Sequence, residues 1–460
     1  MQLADLKQVY FIGIGGIGMS AVARYFNSRG LKVAGYDKTE TPLTRALESE
    51  GIAIHYGVAD MAMVPESSAD LLIVWTPAIP ANFAELVKVQ TGSYTVLKRS
   101  EVLGLISRGM DCVGIAGTHG KTTTTTITTH LMTVAGLEPS AFLGGIPRDF
   151  PSNYVHGTSD WVVVEADEYD RSFLQLDPAI AVVLSCDPDH LDIYGDHANM
   201  LETGFRAYAR RIREGGRLLI RYDLVDHFTE IDHVTVTTFG IGAGDYNAHN
   251  VRVEDGAFHF DLKEPDGHLI TNIRTALPGR HNIENAAAAG AVTRIAGGSE
   301  AALRTGLATF KGIARRFETK LSTDKIVIID DYAHHPTELT AAISAAKELY
   351  PDKTIRGVFQ PHLFSRTQDF AAGFAQALDL LDEAILIPIY PAREEPIPGI
   401  NSRSIYEKMS MQNRRLLSKK KLLDATAKLA DGVLLLLGAG DIDALVPQIV
   451  AQHQNTLNHG

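Results

Sequence analysis

The stretch that most constrains the fold is an apolar run, Cys112–Ala116, followed directly by Gly117-Thr118-His119-Gly120-Lys121-Thr122 and further threonines. The apolar run reads as a buried strand, and the threonine-rich segment can open a helix. A strand, a glycine turn, a lysine and a helix N-terminus form a phosphate-binding loop, because backbone N–H groups and the helix dipole both face the anion. We predict that Lys121 neutralises the phosphates of a nucleoside triphosphate and that the Thr122 hydroxyl binds Mg²⁺. The strict motif has glycine in place of Ile115, so this loop is a shortened variant.

The rest of the chain alternates short apolar strands with helical stretches, which is the pattern of parallel α/β sheets. With 460 residues the chain is also too long for a single hydrophobic core. We predict an α/β protein of three domains with the boundaries 1–108, 109–322 and 323–460. The last domain includes a strand predicted over Ala384–Ile389.

The composition excludes several classes of function. The net charge is −12 and the chain has no basic block, which argues against binding of nucleic acid. Both cysteines, Cys112 and Cys186, lie in apolar runs and are expected to be buried and reduced, as in a cytoplasmic protein. The sequence has neither a signal-peptide pattern nor an apolar run of membrane-spanning length, so we expect no membrane insertion.

A second glycine loop follows the first predicted strand. Gly13, Gly15 and Gly18 match the dinucleotide-binding fingerprint, and Asp37 ends the next strand, where an acidic residue can bind a ribose. The physical requirement is a backbone that approaches a pyrophosphate at a helix N-terminus, and a UDP-sugar meets it as NAD(P) does. These residues leave the ligand open between NAD(P) and a UDP-sugar, and a turn without a ligand is the third interpretation.

Two clusters of carboxylates follow predicted strands of the middle block. Glu165-Ala166-Asp167-Glu168 ends one strand, and Asp187-Pro188-Asp189-His190 follows another. The carboxyl ends of parallel strands meet at one edge of a sheet, so both clusters are expected near Lys121. Carboxylate oxygens with one imidazole suit Mg²⁺ or Mn²⁺, and Glu165 and His190 are the candidate ligands. The competing interpretation of Glu168 and its acidic neighbours is solvated loop charge.

Polar clusters also stand out in the last third of the chain. They are Gly279–Asn282 with Asn285, Arg315–Glu318, Asp330–Glu338, and Gln360–His362 with Arg366. A carboxylate and histidines at a strand end are typical of a binding site, although part of the Asp330–Glu338 segment also fits a helix start. Arg366 is suited to clamp a carboxylate through two hydrogen bonds, and the alternative is a surface arginine with no role.

Together these motifs resemble the Mur ligase family of bacterial peptidoglycan synthesis. The matching strings follow the order of the family and span most of the chain. They are Phe11–Ser20, Gly117–Thr125, Glu165–Glu168, Asp189–Asp192, Gly279–Asn282, Arg315–Glu318, Asp330–Glu338, Phe359–His362 and Glu394–Gly399.

The resemblance implies an ATP-dependent, amide-forming ligase with a Rossmann-like N-terminal domain, a central P-loop domain and a Rossmann-like C-terminal domain. The lactyl carboxylate of UDP-N-acetylmuramate would attack the γ-phosphate of ATP, and the amine of L-alanine would then displace phosphate from the acyl phosphate. ATP with Mg²⁺ or Mn²⁺ is implied, and the first glycine loop would bind the UDP-sugar and not NAD. Ligation of a murein tripeptide to the same UDP-sugar is the alternative reaction, and a non-catalytic UDP-sugar or nucleotide sensor is the alternative from another class.

The resemblance also implies a role for individual residues. Those expected to be catalytic are Lys121, Glu165, His190 and Arg366, and those expected to hold the metal are Thr122, Glu165 and His190. The residues expected to bind ATP are Gly117, Thr118, His119, Gly120, Lys121, Thr122, Thr123, Asn282, Asn285, Arg316, Asp331 and His335. Those expected to bind the UDP-sugar are Gly15, Gly16, Ile17, Gly18, Asp37, Thr76 and His281. Those expected to bind the amino acid are Tyr332, His334, His362 and Arg366.

Two positions depart from the family pattern. Several Mur ligases of later steps carry a carbamylated lysine where this chain reads Phe205-Arg206-Ala207-Tyr208, and many alanine-specific members have arginine where this chain has Leu363. Binding of the substrate carboxylate is therefore expected to depend more on Arg366. The expected partners are UDP-N-acetylmuramate and L-alanine, with the chain as a monomer or weak dimer.

Overall fold

The computed structural model describes residues 3–189, 191–228, 231–392 and 394–458. The chain divides into two compact units. The first comprises Met1–His249, Asp261–Ile273 and Glu284–Lys311, and the second comprises Asn250–Phe260, Arg274–Ile283 and Gly312–Gly460. Among the described residues, no helix is both long and apolar enough to cross a lipid bilayer.

The first sheet is parallel, and the glycine loop lies where its strand order reverses. The elements are β1 (Gln8–Ile12), α1 (Ile17–Ser28), β2 (Lys32–Asp37), α2 (Pro42–Ser49), β3 (Ala53–Tyr56), β4 (Leu71–Trp75), α3 (Ala84–Thr91), β5 (Thr95–Lys98) and α4 (Arg99–Arg108). The strand order is β3-β2-β1-β4-β5. The chain leaves β1 for β2 on one side and later returns to β4 on the other, which opens a crevice at the carboxyl ends of β1 and β4.

The second sheet has the phosphate-loop strand in its interior. Its elements are β6 (Asp111–Ala116), α5 (Lys121–Val134), β7 (Ser140–Phe142), β8 (Tyr154–Val155), β9 (Trp161–Glu165), β10 (Ile180–Val183), α6 (Leu191–Tyr194), α7 (His197–Met200), α8 (Ala207–Ala209), β11 (Arg217–Arg221), β12 (Thr235–Ile241), β13 (Tyr246–Glu254), β14 (Ala257–Lys263), β15 (Leu269–Thr275), α9 (Arg280–Ile295) and α10 (Glu300–Thr309). Strand β6 pairs in parallel with β9 on one side and β10 on the other. The two strands that precede the predicted carboxylate clusters therefore flank the phosphate loop.

The third sheet carries the last predicted domain. Its elements are β16 (Glu318–Ser322), β17 (Ile326–Asp331), α11 (Pro336–Leu349), β18 (Ile355–Phe359), α12 (Phe364–Leu378), β19 (Glu383–Leu386), α13 (Arg403–Tyr406), β20 (Arg414–Leu416), α14 (Lys419–Thr426), β21 (Gly432–Leu437) and α15 (Val446–Asn458). The order is β16-β17-β21-β18-β19-β20, with only the β16 pairing antiparallel among the pairings described. Alternate residues of β17 enter two different hydrophobic clusters, so both faces of this sheet are covered.

The core of the first unit runs through the first two predicted domains. The ring of Tyr25 on α1 lies 5.7 Å from Phe142 and 6.0 Å from Tyr154, measured between ring centroids. The side-chain amide of Asn153 also donates to the hydroxyl of Ser20 on α1 at 3.0 Å. The first glycine loop is thus attached to the sheet that carries the phosphate loop. The boundaries at 108 and 322 stay predictions.

Candidate active site

The phosphate loop is held in a conformation that glycine favours. Gly117 has φ 148° and Gly120 has φ 82°, and both angles disfavour an L-residue. The loop is fastened to the chain after β10, since Ser185 Oγ lies 3.0 Å from the Thr118 hydroxyl and accepts the His119 N–H at 2.8 Å. Helix α5 begins at Lys121, so its free N–H groups face the loop.

The Lys121 ammonium has a fully buried partner. Its Nζ donates to the Gly117 carbonyl at 2.7 Å and to the two carboxylate oxygens of Glu168 at 2.9 and 2.7 Å. Burial acts to lower the pKa of Lys121, but Glu168, Asp167 and Glu165 outweigh it and the net shift is upward. Glu168 is 0% exposed, so the interpretation of it as a solvated loop charge is wrong. An unpaired charge at such depth would be strongly destabilising, and Lys121 supplies the pairing.

The two predicted metal ligands within the described residues lie side by side. The Thr122 hydroxyl donates to Glu165 Oε1 at 3.1 Å, and the Gly144 N–H donates to Glu165 Oε2 at 3.1 Å. A Cβ at Gly144 would lie 2.1 Å from that carboxylate, so the approach requires glycine. A hydroxyl and a carboxylate are hard oxygen donors, so the pair fits Mg²⁺ or Mn²⁺. His190, the third predicted ligand, lies outside the described residues, and the described ones hold no cluster of three His, Cys, Asp or Glu arranged for a metal.

One further predicted ATP residue joins the phosphate loop from α9. Asn285 Oδ1 accepts the Thr124 hydroxyl at 3.1 Å and would lie 2.7 Å from a Cβ at Gly120. Thr123 is buried in the first turn of α5, and His119 Nε2 lies 3.4 Å from a carboxylate oxygen of Asp187. The first unit therefore brings Gly117–Thr123 and Asn285 together, and their role in binding ATP stays a prediction.

The remaining predicted ATP residues belong to the second unit. Asp331 accepts the N–H groups of Phe317 and Ala333, each at 2.7 Å, and burial raises its pKa to about 6. The Arg316 guanidinium lies 5.2 Å from the centroid of the Tyr332 ring. The other two have local backbone partners: Asn282 donates to the Pro278 carbonyl at 2.7 Å, and His335 caps α11. Their role in binding ATP stays a prediction.

The first glycine loop closes onto the acidic residue of its fingerprint. The Gly15 N–H donates to Asp37 Oδ2 at 2.7 Å, so this carboxylate holds the loop. Thr76, at the end of β4, would lie 3.0 Å from a Cβ at Gly13. The predicted UDP-sugar residues of the first unit thus surround the crevice at the reversal of strand order; they are Gly15, Gly16, Ile17, Gly18, Asp37 and Thr76. His281 lies in the second unit, where burial lowers its pKa to about 4, and its contact with a UDP-sugar stays a prediction.

The residues predicted to bind the amino-acid substrate lie at the carboxyl ends of β17 and β18. His334 Nδ1 lies 3.0 Å from the Tyr332 carbonyl oxygen and 3.2 Å from Glu338 Oε2. The ring centroids of His334 and His362 are 6.1 Å apart. Arg366 follows His362 closely, in the first turn of α12. Burial lowers the pKa of His362 to about 4, assisted by His334 and Arg366. This imidazole is therefore neutral at pH 7.

Sequence reasoning missed a third wall of this cluster. Tyr390, just after β19, stacks on His362 with ring centroids 5.8 Å apart and the planes at 20°. The available signal was its place after a strand that neighbours β18, but the sheet order needed to use that signal was not known. Glu394 lies in the same loop and belongs to one of the strings that match the family, but the resemblance assigns it no role.

The segment without the family's lysine is filled by core packing. Phe205 lies in a π-helical turn, Leu201–Arg206, and is 0% exposed. Tyr208 is equally buried and stacks on Phe173 at 4.9 Å with the planes at 9°. Neither side chain has an amine that could be carbamylated, so these two residues cannot replace the lysine of the other Mur ligases.

Comparison with known proteins identifies the family. Three protein-family models match: the Mur ligase family catalytic domain over 8–110, the Mur ligase middle domain over 115–293 and the Mur ligase glutamate ligase domain over 315–442. The chain is 46% identical over 459 residues to the UDP-N-acetylmuramate–L-alanine ligase of Porphyromonas gingivalis, covering 98% of this chain and 100% of that protein.

Solved structures agree. The UDP-N-acetylmuramate–alanine ligase of Thermotoga maritima is similar with a TM-score of 0.79 at 27% identity, over 98% of this chain and 99% of that one. A murein peptide ligase of Psychrobacter arcticus shares the fold, with a TM-score of 0.70 at 22% identity over 97% of this chain and 98% of that one. On these similarities and on the three matched domains, the chain belongs to the Mur ligase family and is an enzyme of that family.

Proposed function

We propose that this enzyme uses ATP to join L-alanine to the lactyl carboxylate of UDP-N-acetylmuramate, a step of peptidoglycan synthesis. The observation that carries the proposal is the 46% identity, over nearly the whole chain, to a ligase of that name. The pairing of Thr122 with Glu165 beside Lys121 supports it, because both oxygens suit the Mg²⁺ that accompanies ATP.

The reaction has two steps in which atoms balance. A lactyl carboxylate oxygen attacks the γ-phosphorus of ATP, the bond to the β-phosphate oxygen breaks, and ADP leaves. The alanine nitrogen then attacks the acyl carbon, loses a proton, and inorganic phosphate leaves as the amide forms. Phosphoryl transfer needs alignment and charge neutralisation more than covalent help. We assign the alignment to the N–H groups of the phosphate loop and the neutralisation to Lys121.

Thr122 and Glu165 are our candidates to hold Mg²⁺, with His190 as the further ligand that the resemblance implies. Mg²⁺ would neutralise the developing charge on the phosphate oxygens. Before phosphates arrive, Glu165 is oriented by Thr122 and by the Gly144 N–H, so its two oxygens are already placed. This orientation lowers the cost of assembling the site.

The amino acid is assigned to the cluster in the second unit. Arg366 would bind the alanine carboxylate, and the neutral imidazoles of His334 and His362 would lie beside the amine without repelling its ammonium form. The ring faces of His362 and Tyr390 beside it suit contact with a methyl side chain.

Ligation of a murein tripeptide is the weaker candidate. The relative named for L-alanine is 46% identical, whereas the murein peptide ligase of known structure is 22% identical and supports only the fold. Both reactions use a UDP-sugar and ATP, so we place the enzyme in the cytoplasm, where these nucleotides are found. We expect a monomer or weak dimer, which light scattering would establish.

Omission of substrates tests the proposal. We expect ADP to form over many turnovers only when ATP, Mg²⁺, UDP-N-acetylmuramate and L-alanine are all present, because without L-alanine the reaction stops after the first step. Glu165→Gln should lower kcat by about 100-fold or more, because a ligand and a placed charge are lost together. The control is Glu254→Gln, which changes an exposed pair with Arg252 and should keep full activity. Continued ADP formation over many turnovers at the same rate without L-alanine would contradict the proposal.

A further inference from the structure

The loop after β19 is hydrogen-bonded at Tyr390 to the segment that leads into α12. The Tyr390 N–H donates to the Pro361 carbonyl at 2.8 Å, and the Leu363 N–H donates to the Tyr390 carbonyl at 3.0 Å. Together with the stacking of Tyr390 on His362, these bonds fix the loop beside His362 and the start of the helix that carries Arg366. Both residues are predicted to bind the amino-acid substrate. The loop and the start of the helix therefore form one structural piece.

Glu394 completes this piece by capping α12 from outside the helix. Its Oε2 accepts the N–H of Phe364 at 2.6 Å and that of Ser365 at 3.0 Å, and its other oxygen accepts the Ser365 hydroxyl. The helix cannot cap itself, because Leu363 occupies the N-cap with φ 70° and has no polar side chain. Glu394 supplies the missing acceptor, and its charge matches the positive end of the helix dipole.

The cap matters for Arg366 because of where this arginine lies. Arg366 is in the first turn of α12, where the helix dipole disfavours a cation. A carboxylate at the same terminus offsets that repulsion. It also occupies the free N–H groups, so an incoming carboxylate is directed to the guanidinium and not to the end of the helix.

We propose that Glu394 is a positioning residue for the amino-acid substrate: it fixes α12 and the Tyr390 loop so that Arg366 and His362 face the substrate as one rigid wall. This inference rests on the proposed function, since it assumes that the amino acid binds at this cluster. It gives a role to the Glu394–Gly399 string, which the reaction scheme leaves unassigned.

Steady-state kinetics of the full-length enzyme test the inference. Glu394→Ala should raise KM for L-alanine about tenfold or more, in line with a lost helix cap and its charge. KM for ATP and for UDP-N-acetylmuramate should stay within about twofold of wild type, a selectivity that general loosening of the fold would not give. The matched control is the exposed neighbour, Glu395→Gln, which should behave as wild type.

Two further measurements keep the test decisive. Glu394→Gln keeps the size of the side chain and removes only the charge, so it should raise the same KM by a smaller factor, and it carries the test if Glu394→Ala does not fold. Added formate should restore part of the L-alanine affinity of Glu394→Ala by occupying the vacated helix terminus, and should leave the wild type unchanged. An unchanged KM for L-alanine in both variants, or an equal rise in all three KM values, would overturn the inference alone. A wild-type enzyme without turnover that depends on L-alanine would overturn the proposed function as well.

Discussion

At the scale of single residues, the buried pair of Lys121 and Glu168 makes the sharpest prediction. Glu168→Gln leaves the ammonium without its counter-charge, and we expect it to lower the free energy of unfolding by about 3 kcal/mol in the absence of nucleotide. Phosphate oxygens can replace the lost carboxylate, so a non-hydrolysable ATP analogue should raise the melting temperature of the variant more than that of the wild type.

The control for this prediction is an ion pair on the surface. Glu202→Gln removes exposed contacts with Arg206 and Arg210 and should change stability by less than about 1 kcal/mol. Thermal unfolding with and without the analogue gives both numbers. Equal shifts in Glu168→Gln and wild type would mean that the nucleotide phosphates do not take over Lys121.

His362 predicts how stability depends on pH. Its pKa in the folded state is about 4, below the ordinary 6.5, because of burial and then the neighbouring His334 and Arg366. Between these values the unfolded chain binds more protons, so this group lowers stability as pH falls from about 6.5 to about 4. His362→Gln should therefore lose less stability than wild type between pH 7 and pH 5 in urea titrations. Parallel losses in the two proteins would contradict this.

Residue chemistry explains which site residues could be found from the sequence. Lys121, Thr122 and Glu165 are identifiable because a motif and a strand end place them, and the structure brings them together. The burial of Glu168 could not be predicted without the structure, because a carboxylate after a strand is equally compatible with solvent and with a buried lysine. Tyr390 was missed because the sheet order that places β19 beside β18 does not follow from the sequence.

At the scale of elements, α5 is built from threonines, which have low helix propensity. Thr129 and Thr133 each donate a hydroxyl to the carbonyl four residues earlier, at 2.8 Å, but Thr129 is fully buried and Thr133 is exposed. We expect Thr133→Ala to raise the free energy of unfolding by about 0.5 kcal/mol through propensity alone. We expect Thr129→Ala to lower it by about 1 kcal/mol by leaving a cavity. Chemical denaturation of this matched pair checks the order, and a greater loss from Thr133→Ala would contradict it.

Element type was more predictable than element boundaries. The strand predicted over Ala384–Ile389 ends at Leu386, because Pro388 has no N–H to donate to the ladder. The antiparallel strand β16 was not predicted, since its residues are mostly polar and partly exposed and carry no apolar alternation. Sheet order, which brings β9 and β10 to either side of β6, depends on packing between distant segments.

At the scale of the whole molecule, the first compact unit contains all of the first predicted domain and most of the second, whose segments 250–260, 274–283 and 312–322 belong to the second unit. The core of the first unit is continuous from β1 through α1 to the strands around the phosphate loop. The three-domain Mur ligase architecture is confirmed by the three matched families, whereas the boundaries 1–108, 109–322 and 323–460 stay predictions. Motifs dispersed over the chain could identify the family because several of them follow strands directly, as after β1, β6, β17 and β18.

Mass spectrometry of the product tests the proposed ligation most directly. The reaction contains ATP, Mg²⁺ and UDP-N-acetylmuramate, with L-alanine, with the murein tripeptide or with no acceptor. We expect a UDP-sugar heavier by one alanyl residue, with one phosphate released per product, and only with L-alanine. A product with the tripeptide alone would establish ligation of the murein tripeptide instead. The absence of a product with either acceptor would contradict the assignment as a ligase.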